Sequence, residues 1–216
     1  MYLIASPGRT ASLYLTYYLQ SYCSIKNNKQ HHMFSIKPFD KDFENLPTNF
    51  IVHTHNAEVI PTFMPNRQLI IVTRDLSEIV ASHIVAQHTG IYSISKIDQL
   101  SHYKNMFVNK KITIESNLFR EQFKKYLEFY VEAFKYKTNA SILNYNQAKN
   151  TNEFCKILNL DPNVNVYMDR RKISVYAMPV DKWQMIENVK EIKTLAAELT
   201  MLAEEKYPDI FIKDLF

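Results

Sequence analysis

At 216 residues, 46% of them hydrophobic, the chain is long enough to bury a core of its own and has a globular composition. Lys plus Arg number 26 against 22 Asp plus Glu, a formal charge of +4 that suits an anionic ligand, but with no long basic run it does not argue for nucleic acid. The two cysteines, Cys23 and Cys155, give no disulfide framework and no metal-ligand spacing. No apolar run reaches the ~18 residues of a membrane span, and no basic segment precedes the first apolar one, which argues against a signal peptide. The expectation is one soluble, cytoplasmic domain over residues 1–216 with no metal, no nucleic-acid partner and no membrane span.

Taken in order, Tyr2-Leu3-Ile4-Ala5 is a short apolar strand, Ser6 to Ser12 a turn of small and polar residues, and Leu13 to Leu19 a segment with helical spacing. A strand, loop and helix in succession aim backbone N–H groups and the positive end of a helix dipole at one point, where an anion is stabilised. The alternative is an ordinary first βα turn. Residues 23–49 are polar and irregular apart from a strand at His32–Ile36. Further strands are predicted at Phe50–His55, at Gln68–Thr73 and at Ala140–Tyr145; the run at 68–73 is continuous enough for a parallel sheet covered on both faces. Asp75 and Glu78 stand at capping-box separation and open a helix to about Gln87.

Residues 90–117 fit no single pattern. From Leu118 to about Tyr136, Phe119, Phe123, Leu127, Tyr130, Val131 and Phe134 share one helical face. Thr151 to Leu158 is a helix, Asp169–Asp181 a long loop, and a last helix from about Gln184 to Lys206 buries Ile186, Val189, Ile192, Leu195, Leu199 and Leu202. Strands alternating with helices predict a three-layer α/β fold with a mainly parallel central sheet flanked by helices.

In such a sheet ligands gather at the carboxyl ends of the strands. Arg9 follows the first strand, His53 and His55 close the second clear one, and Arg74 ends the third. His53 and His55 point to one side, because side chains alternate along a strand. Each has an ordinary explanation as a satisfied structural histidine or a helix-capping arginine; their convergence at one edge favours function. Ser82 lies eight positions beyond Arg74, on the following helix, where a solvated serine is the alternative.

Three segments together resemble the sulfotransferases that use 3′-phosphoadenosine 5′-phosphosulfate (PAPS): Ser-Pro-Gly-Arg-Thr-Ala-Ser at 6–12, His-Thr-His at 53–55, and Ile-Val-Thr-Arg-Asp-Leu-Ser-Glu-Ile-Val-Ala-Ser at 71–82. The resemblance implies a P-loop-like nucleotide-binding fold in which Pro7, Gly8, Arg9, Thr10, Ala11 and Ser12 hold the 5′-phosphosulfate and Arg74 with Ser82 holds the 3′-phosphate. Ile142-Leu143-Asn144-Tyr145-Asn146 is similar to the family's strand ending in Tyr-Glu, and Phe154–Leu160 to the helix after it. Arg171-Lys172 followed by Trp183 resembles the Arg-Lys-Gly loop and nearby tryptophan that close over the 3′-phosphate. It further implies sulfuryl transfer from PAPS to a hydroxyl or amine of a small-molecule or carbohydrate acceptor, without a metal. Arg9 and the loop amides would neutralise the leaving phosphate, and His55, at the catalytic histidine position of a Lys-Thr-His motif, would be the general base.

The departures from the family pattern are Gly8 as an extra residue before Arg9, Ala11 for a usual glycine, His53 for a lysine and Ile173 for the glycine of Arg-Lys-Gly. They leave open whether His53 or His55 is the base, whether Arg170 substitutes for Arg171, and whether Trp183 is a lid or a core residue. A small-molecule or nucleotide kinase on the same strand-loop-helix lacks support, since no lysine follows a glycine in the loop and no strand ends in the Asp expected to hold Mg2+. A non-catalytic nucleotide binder is the third reading. The acceptor would lie against residues 23–49 and 88–117.

Overall fold

A computed structural model describes residues 1–36, 47, 49–90, 111–167 and 181–211. The apolar runs become strands β1 (Tyr2–Ala5), β2 (His32–Ile36), β3 (Phe50–Thr54), β4 (Gln68–Thr73) and β5 (Ala140–Asn144), joined in one sheet of order β2-β3-β1-β4-β5. All four pairings are parallel, with Ala5 level with Thr54 on one side and Ile71 on the other. Leu69 to Thr73 are buried without alternation, as a strand covered on both faces requires. The α/β fold, a parallel sheet flanked by helices, is thus the one expected.

The described residues gather into two compact units, one drawn from Met1–Arg74, Glu128–Met168 and Ile210–Phe216, the other from Asp75–Leu127 and Asp169–Asp209. In the first, helix α1 (Ser12–Lys26) lays Leu15, Tyr18, Leu19 and Tyr22 on Ile4, Ile51, Ile70, Val72 and Leu143. Burying side chains of this size stabilises by roughly 1.5–3 kcal/mol each. A four-residue helix α2 (Ile60–Phe63) precedes β4. After β5 come α5 (Tyr145–Lys149) and α6 (Thr151–Ile157), numbered after α3 and α4 below. Phe154 of α6 sits edge-on to Tyr18, centroids 4.8 Å apart, which ties α6 to α1.

The second unit holds α3 (Leu76–Thr89), the start of α4 (Ser116–Ala133) and α7 (Val189–Lys206). Asn188 Nδ2 donates to Ile114 O at 2.9 Å, and Ile112 bridges to Ile186. Trp183 is buried and donates its Nε1–H to Glu78 at 2.5 Å, so of the two roles open to it, it serves as a core residue here. Lys182 also pairs with Glu78.

Several boundaries and burials differ from the sequence reading. Helix α1 extends to Lys26 through residues that read as polar loop, because Tyr22 and Cys23 pack into the core and Lys26 sits in the last turn, where a cation suits the helix dipole. The last helix begins at Val189, after a 3-10 turn over Lys182–Met185. Leu202 is 55% exposed: the buried stripe of α7 is Ile192, Leu195, Ala196 and Ala203, and Leu202 falls to one side of it. Ser82 is 7% exposed, so the alternative of a solvated helix serine does not hold. The expected loop at 169–181 and most of residues 90–117 lie outside the described residues. No helix among the described residues is long and apolar enough to cross a membrane.

Candidate functional site

The sheet order places the candidate residues. From β1 the chain turns through α1 toward β2 on one side, whereas from β4 it proceeds to β5 on the other. The connections after these adjacent strands therefore diverge, and in parallel sheets the carboxyl ends at such a switch point are where ligands bind. The loop Ser6–Ala11 follows β1, His55 follows β3, and Arg74 follows β4. All lie in the first unit.

The loop has an unusual backbone. Gly8 has φ +89°, Arg9 +56° and Ala11 +62°. Gly8 is the residue type this conformation favours, but left-handed Arg and Ala each cost about 1–2 kcal/mol. Strain of this kind concentrates where backbone is shaped to bind, and successive N–H groups in such a turn form an anion-binding concavity. Among the described residues no backbone carbonyl accepts from the N–H of Gly8, Thr10 or Ala11. Helix α1 starts here with Ala11 as N-cap, no side-chain cap and no acidic residue in its first turn, so the positive end of its dipole is uncompensated from within. Thr10 Oγ1, on a residue 1% exposed, has no hydrogen-bond partner among the described residues.

His53 shares with Ile51 the sheet face that α1 covers, and so reaches the first residue of that helix. Ser6 Oγ–H donates to Ser12 Oγ at 2.8 Å, and Ser12 Oγ pairs with His53 Nε2 at 2.9 Å. His53 Nδ1 is buried with no partner among the described residues. Burial, and then the neighbouring His55, push the His53 pKa down to about 3, so the ring is neutral at physiological pH.

His55 is half-buried, its ring centroid 4.5 Å from that of His53. Its Nδ1 lies 2.7 Å from Ser6 O. A carbonyl only accepts, so Nδ1 carries the proton, and Nε2 of the neutral ring is a lone pair. Burial lowers the His55 pKa, an effect the bond to Ser6 partly opposes. The result is an imidazole in a fixed tautomer with its basic nitrogen turned away from the loop carbonyl.

Arg74 donates from Nη1 to Arg9 O at 2.6 Å, and its guanidinium carbon sits 4.1 Å from the Tyr145 ring centroid. Its own N–H bonds Tyr130 Oη at 3.1 Å. Lys149 Nζ lies 4.7 Å from the same Tyr145 ring. The structure thus brings together Pro7, Gly8, Arg9, Thr10, Ala11, Ser12, His53, His55 and Arg74. Ser82 is buried on α3 in the second unit, and Arg171 and Lys172 lie outside the described residues. Among the described residues no three His, Cys, Asp or Glu side chains come together as a metal site.

Three features escaped the sequence reading: the Ser6–Ser12–His53 chain, the bond from Arg74 to the loop carbonyl, and the stacking on Tyr145. The first was within reach, since alternation from Ile51 puts His53 on the α1 side. The second depends on a backbone conformation that residue types do not announce. Compared with models of protein families, with curated proteins and with solved structures, the chain matches none.

Proposed function

We propose that the protein is a sulfotransferase that moves the sulfuryl group of PAPS to a hydroxyl or amine of a small acceptor. The observation that carries this reading is the loop Ser6–Ala11: a left-handed backbone, loop amides that no backbone carbonyl takes up, an uncapped helix start and the buried Thr10 hydroxyl with no partner among the described residues follow one another along one short stretch, at the position the resemblance gives to the 5′-phosphosulfate. Arg9 stands on that loop as its cation. The 3′-phosphate falls to Arg74 with Ser82; Ser82, Arg171 and Lys172 enter through the resemblance alone. His55 stands beside the loop with Nε2 as an acceptor, which suits a general base.

In the transfer, the bond between sulfur and the bridging oxygen of the 5′-phosphate breaks and its electron pair stays on that oxygen. The acceptor oxygen or nitrogen bonds to sulfur, and its proton goes to His55 Nε2. Preorganised donors on the leaving phosphate, namely the loop amides, the Thr10 hydroxyl and Arg9, stabilise the charge that develops there. His53, neutral and buried against Ser12, cannot supply the positive charge of the lysine it replaces, so this duty falls on Arg9. Of the two histidines, His55 suits the base better, because the Nε2 of His53 is engaged by Ser12 Oγ.

The test is formation of 3′-phosphoadenosine 5′-phosphate from PAPS in the presence of mixed phenol, sugar and amine acceptors. His55→Ala should lower turnover by about 10²–10⁴-fold with nucleotide affinity retained; unchanged turnover removes His55 from the mechanism. Because transfer needs neutral His55, the rate should rise with pH through its lowered pKa and be flat above the ordinary histidine value of 6.5. An acid limb centred above that value would contradict the assignment.

A further inference from the structure

The strands on either side of β1 are each followed by a donor that holds one carbonyl of the loop: His55 takes Ser6 O, and Arg74 takes Arg9 O. The second bond has a consequence for binding. A trans peptide is planar, with its C=O and the following N–H pointing in opposite directions. By holding Arg9 O, Arg74 turns the Arg9–Thr10 peptide so that Thr10 N–H points away from Arg74. Arg9 has φ +56°, a conformation its side chain disfavours, so this peptide needs an external hold. Arg74 is itself firmly held. Its backbone N–H is on Tyr130 Oη, Tyr130 is fully buried, and its guanidinium lies against Tyr145 at the end of β5.

We propose that Arg74 is a positioning residue for the anion loop, orienting the Thr10 amide toward the 5′-anion, in addition to any contact it makes with a 3′-phosphate. Tyr145 serves as the platform that sets the guanidinium plane. This inference rests on the reading of the loop as the seat of the 5′-phosphate.

The experiment compares two probes by calorimetry, 3′-phosphoadenosine 5′-phosphate, which carries both anionic ends, and AMP, which carries only the 5′-phosphate. A residue that only binds the 3′-phosphate would not affect AMP. Positioning predicts that Arg74→Ala weakens AMP by about 10-fold or more, the scale of a charged hydrogen bond, and weakens the doubly phosphorylated nucleotide at least as much. Tyr145→Leu should weaken both in the same direction by less. Arg74→Lys, which keeps the charge and a donor, should recover part of the AMP affinity. Unchanged AMP affinity in Arg74→Ala overturns the proposal. If the wild type binds neither probe, it is the nucleotide reading that fails. The positioning claim is then judged on the ligand-free protein by 15N relaxation, where Arg74→Ala should drop the Thr10 and Ala11 order parameters from rigid values near ~0.85 toward ~0.6; unchanged values overturn it.

Discussion

Two strand-to-helix turns of this chain, one after β1 and one after β4, solve the same problem in opposite ways. Both leave a parallel strand and start a helix whose first N–H groups need partners. After β4 the turn is short. Asp75 accepts from Glu78 N at 2.9 Å, Glu78 supplies an acid in the first turn, and the helix is complete with its own charges. After β1 the turn is long and three of its residues have positive φ; its cap is an alanine and its first turn carries no acid. The turn after β5 follows the style of the one after β4, with Asn144 and Gln147 forming a reciprocal cap. Of these three helix starts only the one after β1 has no side-chain cap, which is why its loop, joined by Arg74 from the turn after β4, is the candidate anion site.

Acid should break the comparison most severely, because the turn after β1 is tied to His53. The unfolded chain takes a proton on this residue near pH 6.5, the folded chain only near pH 3. Between these values the unfolded state binds more protons, so stability is fully present above pH 6.5 and falls as pH falls, by up to ~1.4 kcal/mol per pH unit. Urea unfolding measured from about pH 7 to about pH 4 should show that slope, and His53→Gln, which can still bond Ser12, should flatten it. The next effect belongs to the ordinary turn: Asp75→Ala removes a cap and should cost about 1 kcal/mol of stability, seen as a lower Tm, with nucleotide affinity unchanged. The smallest effect converts one turn into the other. Leu13 is 38% exposed in the first turn of α1, so Leu13→Glu gives that helix the acid it lacks. It should raise the stability of the ligand-free protein by about 0.3–1 kcal/mol and weaken nucleotide binding by a factor of about 2–5. A Leu13→Glu variant that binds better would show that the helix start does not face the anion.

The strands were legible because parallel β-strands buried on both faces are apolar runs, as at Leu69–Val72, and the turn chemistry between them was equally plain. The helix stripes were legible in part: Phe119, Phe123, Tyr130, Phe134, Ile192 and Leu195 are buried as expected, but Leu127, Val131, Val189 and Leu199 are only half-buried, Leu202 is exposed, and Tyr126 and Phe129 are buried in addition. Of the site, residue types told where donors would collect, and alternation told that His53 and His55 share a side. The tautomer of His55, the burial of Thr10 and the aim of Arg74 were not legible, since each depends on where a backbone carbonyl or a neighbouring helix comes to rest. The asymmetry between the two turns lies between these cases: the Asp-x-x-Glu after β4 marks a capped helix, and the lack of any such pair after β1 is itself a signal in the sequence.

The most direct measurement of the central claim is calorimetric titration of 3′-phosphoadenosine 5′-phosphate into the wild-type protein and into Arg9→Ala. The expected result is one equivalent of nucleotide bound by the wild type, weakened about 10-fold or more when the loop loses its cation. A wild type that binds no nucleotide, or an Arg9→Ala variant that binds as tightly, would contradict it.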